Sequence, residues 1–318
     1  MSVMTHERTG GRSVDLVVFV LLAADDGVIP LADSTERPRE LEGRHVSHLA
    51  RWHDSWWAIA DRHTAVQRGD DGTWRDVARS DASLRCLLPR PHGAICGTTD
   101  GRLLALLEGR WAPIEAFDAV EGRDTWHAVG SSVPYVRSLT VTADDRALLA
   151  NVHVGGIPRS GNGGASWKPT IDPEADVHEV RAHPTDPRLV LAPAAVGLGV
   201  SRDAGKTWEV ETRGLHATYS RAVAFTVGSA LVSVSDGPFT SRSALYRWDV
   251  LAGGALERVT EGLPEWLAGN VDTGNLATHD AACAFADEDA VYTSDDAGRS
   301  WTRAATDGKV RGVGVSTT

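Results

Sequence analysis

Six short apolar segments carry an arginine in what aligns as one slot. They are HLARWH, SLRCLL, YVRSLT, EVRAHP, YSRAVAF and VRGVGV, giving Arg51, Arg85, Arg137, Arg181, Arg221 and Arg311. A guanidinium grips a carboxylate or phosphate through two parallel N–H donors, so several facing one space would hold an anion. The alternative is structural: each arginine lays its stem between strands and pairs with a carboxylate such as Glu179 or Asp280. Arg137 and Arg221 lead as ligand groups because Tyr135 and Tyr219 stand two places before them. Around them lie His153 and Arg159 in NVHVGGIPRS, Asp176 and His178 in ADVHEV, and His216 in GLHATYSR. Asp236 and Arg242 follow in VSDGPFTSR, and Asn270, Asp272 and Asn275 in GNVDTGN. His178 and Tyr219, with Asp176, are the candidates for proton transfer. His153, His178, His216 and Asp176 could in principle ligate a metal, but no short His-x-x-x-His spacing supports this, and neither metal nor cofactor is expected.

The elements that must position these groups are marked by a recurrent octapeptide. SGNGGASW runs from Ser160 to Trp167, SRDAGKTW from Ser201 to Trp208, and SDDAGRSW from Ser294 to Trp301. The short polar side chain at the third place (Asn162, Asp203, Asp296) accepts N–H bonds from its own turn, as in Asx turns. The glycine (Gly164, Gly205, Gly298) supplies an open backbone conformation, and the tryptophan buries a large face beneath the hairpin. These residues are scaffold. Worn copies of the same turn end at Trp74, Trp111 and Leu256, so six units recur at a period of about 45 residues. Short strands at this spacing, without a long amphipathic helix, predict a β-propeller of four-stranded blades. The leftover N-terminal strands and VRGVGV at the C-terminus supply three outer strands and one inner strand. The expectation is therefore seven blades, with six or eight as neighbours, the last closed by both chain ends so that no sheet edge stays open.

The three octapeptides resemble the Asp-box, or BNR, repeats of sialidase-like propellers, a superfamily of sialidases, xyloglucanases, sortilin-type receptors and photosystem II stability and assembly factors. The resemblance implies that the boxes lie away from the ligand face, and that ligands meet the loops leading into the innermost strands. For a sialidase it would further imply an arginine triad on a substrate carboxylate, a tyrosine nucleophile assisted by Glu, and an Asp acid/base. The chain departs from that pattern: it has no Arg-Ile-Pro motif, and no Glu stands beside a candidate tyrosine. The same box serves enzymes and binding proteins alike. The reading is thus a noncatalytic binding or assembly module presenting an Arg/His/Tyr face, Arg181 included, to a protein or a small anionic or polar ligand. A glycoside hydrolase or small-molecule lyase using that face is the alternative.

Composition bounds the rest. In 318 residues, 32 Lys and Arg stand against 43 Asp and Glu, a net charge of -11 that argues against a general nucleic-acid binder. Cys86, Cys96 and Cys283 read as buried free thiols. The apolar run Val14–Ala24 imitates a secretory signal, but Asp15 interrupts it and it is too short to span a membrane. It reads as a strand of a cytoplasmic, monomeric protein, with secretion as the alternative. Residues 1–12 are expected to be disordered and 13–318 to form one domain.

Overall fold

A computed structural model describes residues 18–32, 35–304 and 309–317. The expected disordered segment 1–12 lies outside them. The chain forms seven four-stranded antiparallel sheets, and it is a seven-bladed β-propeller. In chain order the innermost strands of blades I to VI are Val46–Trp52, Leu84–Arg90, Val136–Val141, Arg181–Ala182, Tyr219–Thr226 and Leu276–His279. Blade VII takes its innermost strand, Val310–Thr317, from the C-terminus and its outer three from the N-terminus, beginning with Val18–Ala24. That strand is the described part of the signal-like run, and it pairs with the last strand from Val18↔Thr317 to Ala24↔Val310.

The core lies between the blades. Seven apolar clusters fill seven inter-blade layers; Leu21 and Ala23 of blade VII, for example, pack against Val46, Leu49 and Trp56 of blade I. Strand alternation explains the neighbouring tryptophans: Trp56 enters that layer, while Trp57, facing the other way, enters the layer shared with blade II. The tryptophan-marked turns lead into fourth strands as the repeat predicts. Trp74 begins Trp74–Arg79, and Trp167, Trp208 and Trp301 immediately precede Lys168–Pro169, Glu209–Glu211 and Thr302–Ala304.

The three boxes share one hydrogen-bond pattern. Ser160, Ser201 and Ser294 each donate their hydroxyl to the third-place oxygen at 2.8–2.9 Å and accept the box glycine's N–H at 2.8–3.1 Å. Asp203 Oδ1 also accepts the Lys206 and Thr207 N–H groups at 3.0 and 2.9 Å. Trp167 and Trp301 are buried and donate Nε1–H to the glycine carbonyl of their own box. Trp208 is only half-buried and reaches Thr170 of the preceding blade at 3.1 Å. All three cysteines are free and buried.

Candidate functional site

The innermost strands carry a register fault that decides which side chains face the axis. In a regular strand successive side chains enter the layers on either side of the blade. A bulge adds one residue that neither layer receives. Such shifts fall at Ser47 in blade I, Arg85 in blade II, Arg137 in blade III, Arg221–Ala222 in blade V and Arg311 in blade VII. In blade IV, Val177↔Ala194 and Arg181↔Leu191 enclose one extra residue on the inner strand, and Val180 N–H turns away to Ser138. Val180 N–H bonds Ser138 of blade III as Val223 N–H of blade V bonds Glu179, so Glu179 corresponds to Ser138 and the bulge of blade IV falls at His178. Ser47, Arg85, Arg137, Glu179, Arg221 and Arg311 all line a central cavity of about 1940 Å³.

This register corrects the aligned slot at two places. Ser47, not Arg51, occupies it in blade I: Arg51 sits at the opposite end of its strand, pairs with Asp54 at 3.3 Å, and lies over Trp56. In blade IV the slot falls to His178, and the next residue, Glu179, has a buried carboxylate that is paired with Arg181 and accepts Val223 N–H at 3.1 Å. Burial pushes the Glu179 carboxyl upward, with Arg181 opposing. Apolar alternation could not reveal this, because a bulge moves the phase of a strand by one residue without changing its composition.

Partners divide the true ring of arginines. Arg311 forms a bidentate pair with Asp25 at 2.9 and 3.0 Å, and Arg221 pairs with Asp272 and reaches the Tyr219 hydroxyl at 3.2 Å. Arg85 and Arg137 have no carboxylate within ion-pair distance among the described residues. Arg85 is exposed and stacks over Tyr135 at 4.8 Å. The one hydrogen bond of Arg137 goes to Thr273 Oγ1 at 3.4 Å, and its Nε is buried without a partner. Burial lowers the Arg137 pKa, and the charges of Arg221 and Arg85 add to the effect.

On the same wall Asp176 stands between two histidines, 3.5 Å from His153 Nε2 and 3.4 Å from His178 Nε2. It adopts a left-handed conformation (φ 47°) that non-glycine residues rarely hold, at the end of the 3-10 turn Pro173–Ala175. His178 Nδ1 donates to Ser220 O at 2.6 Å, and its ring packs on Tyr219 at 4.7 Å; His153 packs on Tyr135 at 4.8 Å. Burial, reinforced by Arg137, pulls His153 down to about 4 and His178 below its ordinary value, so both are neutral near pH 7. Burial opposes ionisation of Asp176, but His178, His153 and Arg137 outweigh it and hold the carboxyl low. Three cations (Arg85, Arg137, Arg221) thus face two carboxylates (Asp176, Asp272), leaving one net positive charge on this wall.

The segment Val271–Gly274 does more than the rim position expected of it. Val271 O accepts from Ser233 of blade V, Asp272 takes Arg221, Thr273 donates to His178 O in blade IV at 2.8 Å and accepts from Arg137 in blade III, and Gly274 O accepts Val313 N–H of blade VII. Four consecutive residues touching four blades must cross the axis. No feature of GNVDTGN announced this, because its partners lie up to 136 positions away in sequence.

The remaining candidates scatter. Asn275 lines the cavity with a buried, unpartnered Oδ1. Arg159 lies on a third strand beside a box, donating to Ala204 O at 2.7 Å. His216 stands apart in blade V, with Nδ1 against the Tyr246 hydroxyl at 2.8 Å and Nε2 against Arg242 O at 3.1 Å. Glu179, named from sequence as a possible counter-ion for the arginines, is that for Arg181.

No family model matches the chain, and no curated protein matches it. Solved structures do. A GH74 enzyme from Niastella koreensis is 12% identical with a TM-score of 0.63, over 90% of this chain and 46% of that one. A provisionally assigned 6-phosphogluconolactonase from Bacteroides fragilis NCTC 9343 is 12% identical with a TM-score of 0.63, over 96% of this chain and 100% of that one. The computationally designed Ika8 protein is 15% identical with a TM-score of 0.56, over 91% of this chain and 80% of that one. This chain therefore spans less than half the length of the GH74 enzyme. Likeness at these identities carries the fold alone.

Proposed function

We propose that this propeller binds an anionic ligand at the mouth of its channel, with Arg137 and Arg85 as the gripping cations and Arg221 as support. The observation that carries the reading is the half-buried guanidinium of Arg137, whose Nε is buried without a partner and which has one long hydrogen bond and no carboxylate at ion-pair distance among the described residues. Holding an uncompensated charge partly out of water is unfavourable, and such groups are retained where something completes them. His178 favours binding over catalysis, since both its nitrogens face protein partners and the residue is 1% exposed. The shared bonding of the three octapeptides further supports placing the chain among Asp-box propellers.

The test is calorimetric titration with acetate and inorganic phosphate in a buffer of Tris chloride. Saturable binding by the native protein, lost in Arg137→Gln and weakened in Arg85→Gln, is expected. Equal heats from native protein and both variants would reject the site. A catalytic reading, glycoside hydrolase or lyase, has one observation in its favour: the strained Asp176 held between two histidines on the cation-bearing wall. Turnover of a glycoside or lyase substrate, abolished in Asp176→Asn with anion binding intact, would favour it.

A further inference from the structure

We infer that the ligand is a small monocarboxylic acid with an apolar body, its carboxylate on Arg85 and Arg137 and its body against Phe239 and Val129 at the rim. This rests on the anion-binding reading and adds to it the ligand's charge and its apolar half. The wall carries one net positive charge, which a monoanion balances and a dianion overshoots. The rim supplies apolar groups of an unusual kind. Phe239 is 101% exposed and Val129 74% exposed, and both line the cavity that holds the arginines.

Neither is at the end of a loose loop. Ser235 donates to Asn270 Oδ1 at 2.6 Å, Asn270 donates to Gly237 O and Pro238 O at 3.1 Å each, and Thr240 bonds Asp236. These bonds hold Phe239 up at the tip of its loop. Val129 sits in a turn closed by two reciprocal 2.9 Å bonds between Ala128 and Ser131. A fully solvated Phe on a hydrogen-bonded tip has no packing role in the fold, and exposed apolar groups ringed by polar ones mark contact sites. Two such tips above a cationic wall complement a molecule that is charged at one end and apolar at the other.

The test is calorimetric titration with acetate, butanoate, hexanoate and octanoate, with hexanamide as the uncharged control. For the native protein, affinity should rise about twofold per added methylene, half the effect of full burial, as one side of the chain meets the rim. In Phe239→Ser combined with Val129→Ser this dependence should flatten while acetate binding is unchanged. In Arg137→Gln all four acids should fail. Acetate binding with no gain toward octanoate would overturn the inference and leave the anion site standing; binding of hexanamide as tightly as hexanoate would overturn both. Tighter capture of a heptapeptide ending in a free Phe carboxylate than of hexanoate would reassign the mouth to a protein chain end, and would also overturn it.

Discussion

Replacing Arg137 with methionine should make the empty protein more stable and the mouth unable to hold an anion. Methionine preserves the buried stem while removing a guanidinium that shares its cavity with Arg85 and Arg221 and gains only a 3.4 Å bond to Thr273. Relief of that burial and repulsion is worth about 1–2 kcal/mol, toward the low end of what replacing buried ionic groups has yielded, because the cavity is open to water. For a chain of this size it amounts to a rise in melting midpoint of about 1.5–3 °C. Loss of a two-pronged charge-assisted grip should weaken anion binding by about a hundredfold. Thermal unfolding in Tris chloride, with and without ligand, reads both effects. The native protein should gain about 2.7 kcal/mol at a hundred times its Kd, and the variant only about 0.4 kcal/mol at that concentration. A variant that melts several degrees lower yet keeps the full ligand shift would refute the reasoning and make Arg137 an inter-blade staple.

Other outcomes are fixed by single contacts. Asp203→Ala should cost about 1–2 kcal/mol in urea unfolding, by analogy with loss of a helix cap, and leave anion affinity unchanged. The Asp203 hydrogen bonds outweigh burial and hold its folded pKa at about 2, below the unfolded value, so its contribution is complete above about pH 4 and is lost as pH falls through about 2. Stability measured from pH 5 to 2 should therefore decline less steeply in the variant. Gly205→Ala should destabilise by about 2–3 kcal/mol, because Gly205 holds φ +79° and a Cβ there would run into Leu149 of the preceding blade; Leu149→Ala in the same chain should recover less than half. Asp272→Ala frees Arg221, so calorimetry should show malonate binding about tenfold more tightly, with a smaller gain for acetate.

How much of this was legible in the sequence depends on whether the signal was local. The octapeptides declare themselves because each satisfies its own turn within eight residues, and their spacing then counts the blades. Blade VII was readable by subtraction: the N-terminal strands are one short of a blade and Val310–Thr317 is a single strand left over at the other end. Of the aligned arginines, Arg85, Arg137, Arg221 and Arg311 do sit on the bulges, while Arg51 and Arg181 do not. The difference is register, which apolar pattern sets only modulo two and which one inserted residue reverses. Pairing was less legible still. Asp25 and Arg311 are 286 positions apart, so nothing in either segment identifies the other as its counter-ion.

The distribution of those counter-ions localises the site within a nearly symmetric frame. Seven equivalent blades would offer seven equivalent anchor points, and an all-arginine ring would repel itself. Instead the bulge holds serine in blade I and histidine in blade IV, while blade VI has no shift between Leu276 and His279. Among the arginines, blade VII is answered by Asp25 and blade V by Asp272, the latter delivered by the segment that crosses the axis. Uncompensated charge therefore survives only on the adjacent blades II and III, at Arg85 and Arg137. The crossing segment has a second consequence, since Thr273 takes the single hydrogen bond of Arg137 from one side and fixes the direction in which the remaining donors can look. On the proposed reading, a ligand carboxylate approaching from the mouth would meet two guanidinium groups that have no carboxylate at ion-pair distance among the described residues, and this asymmetry, rather than the number of arginines, would set the site's selectivity.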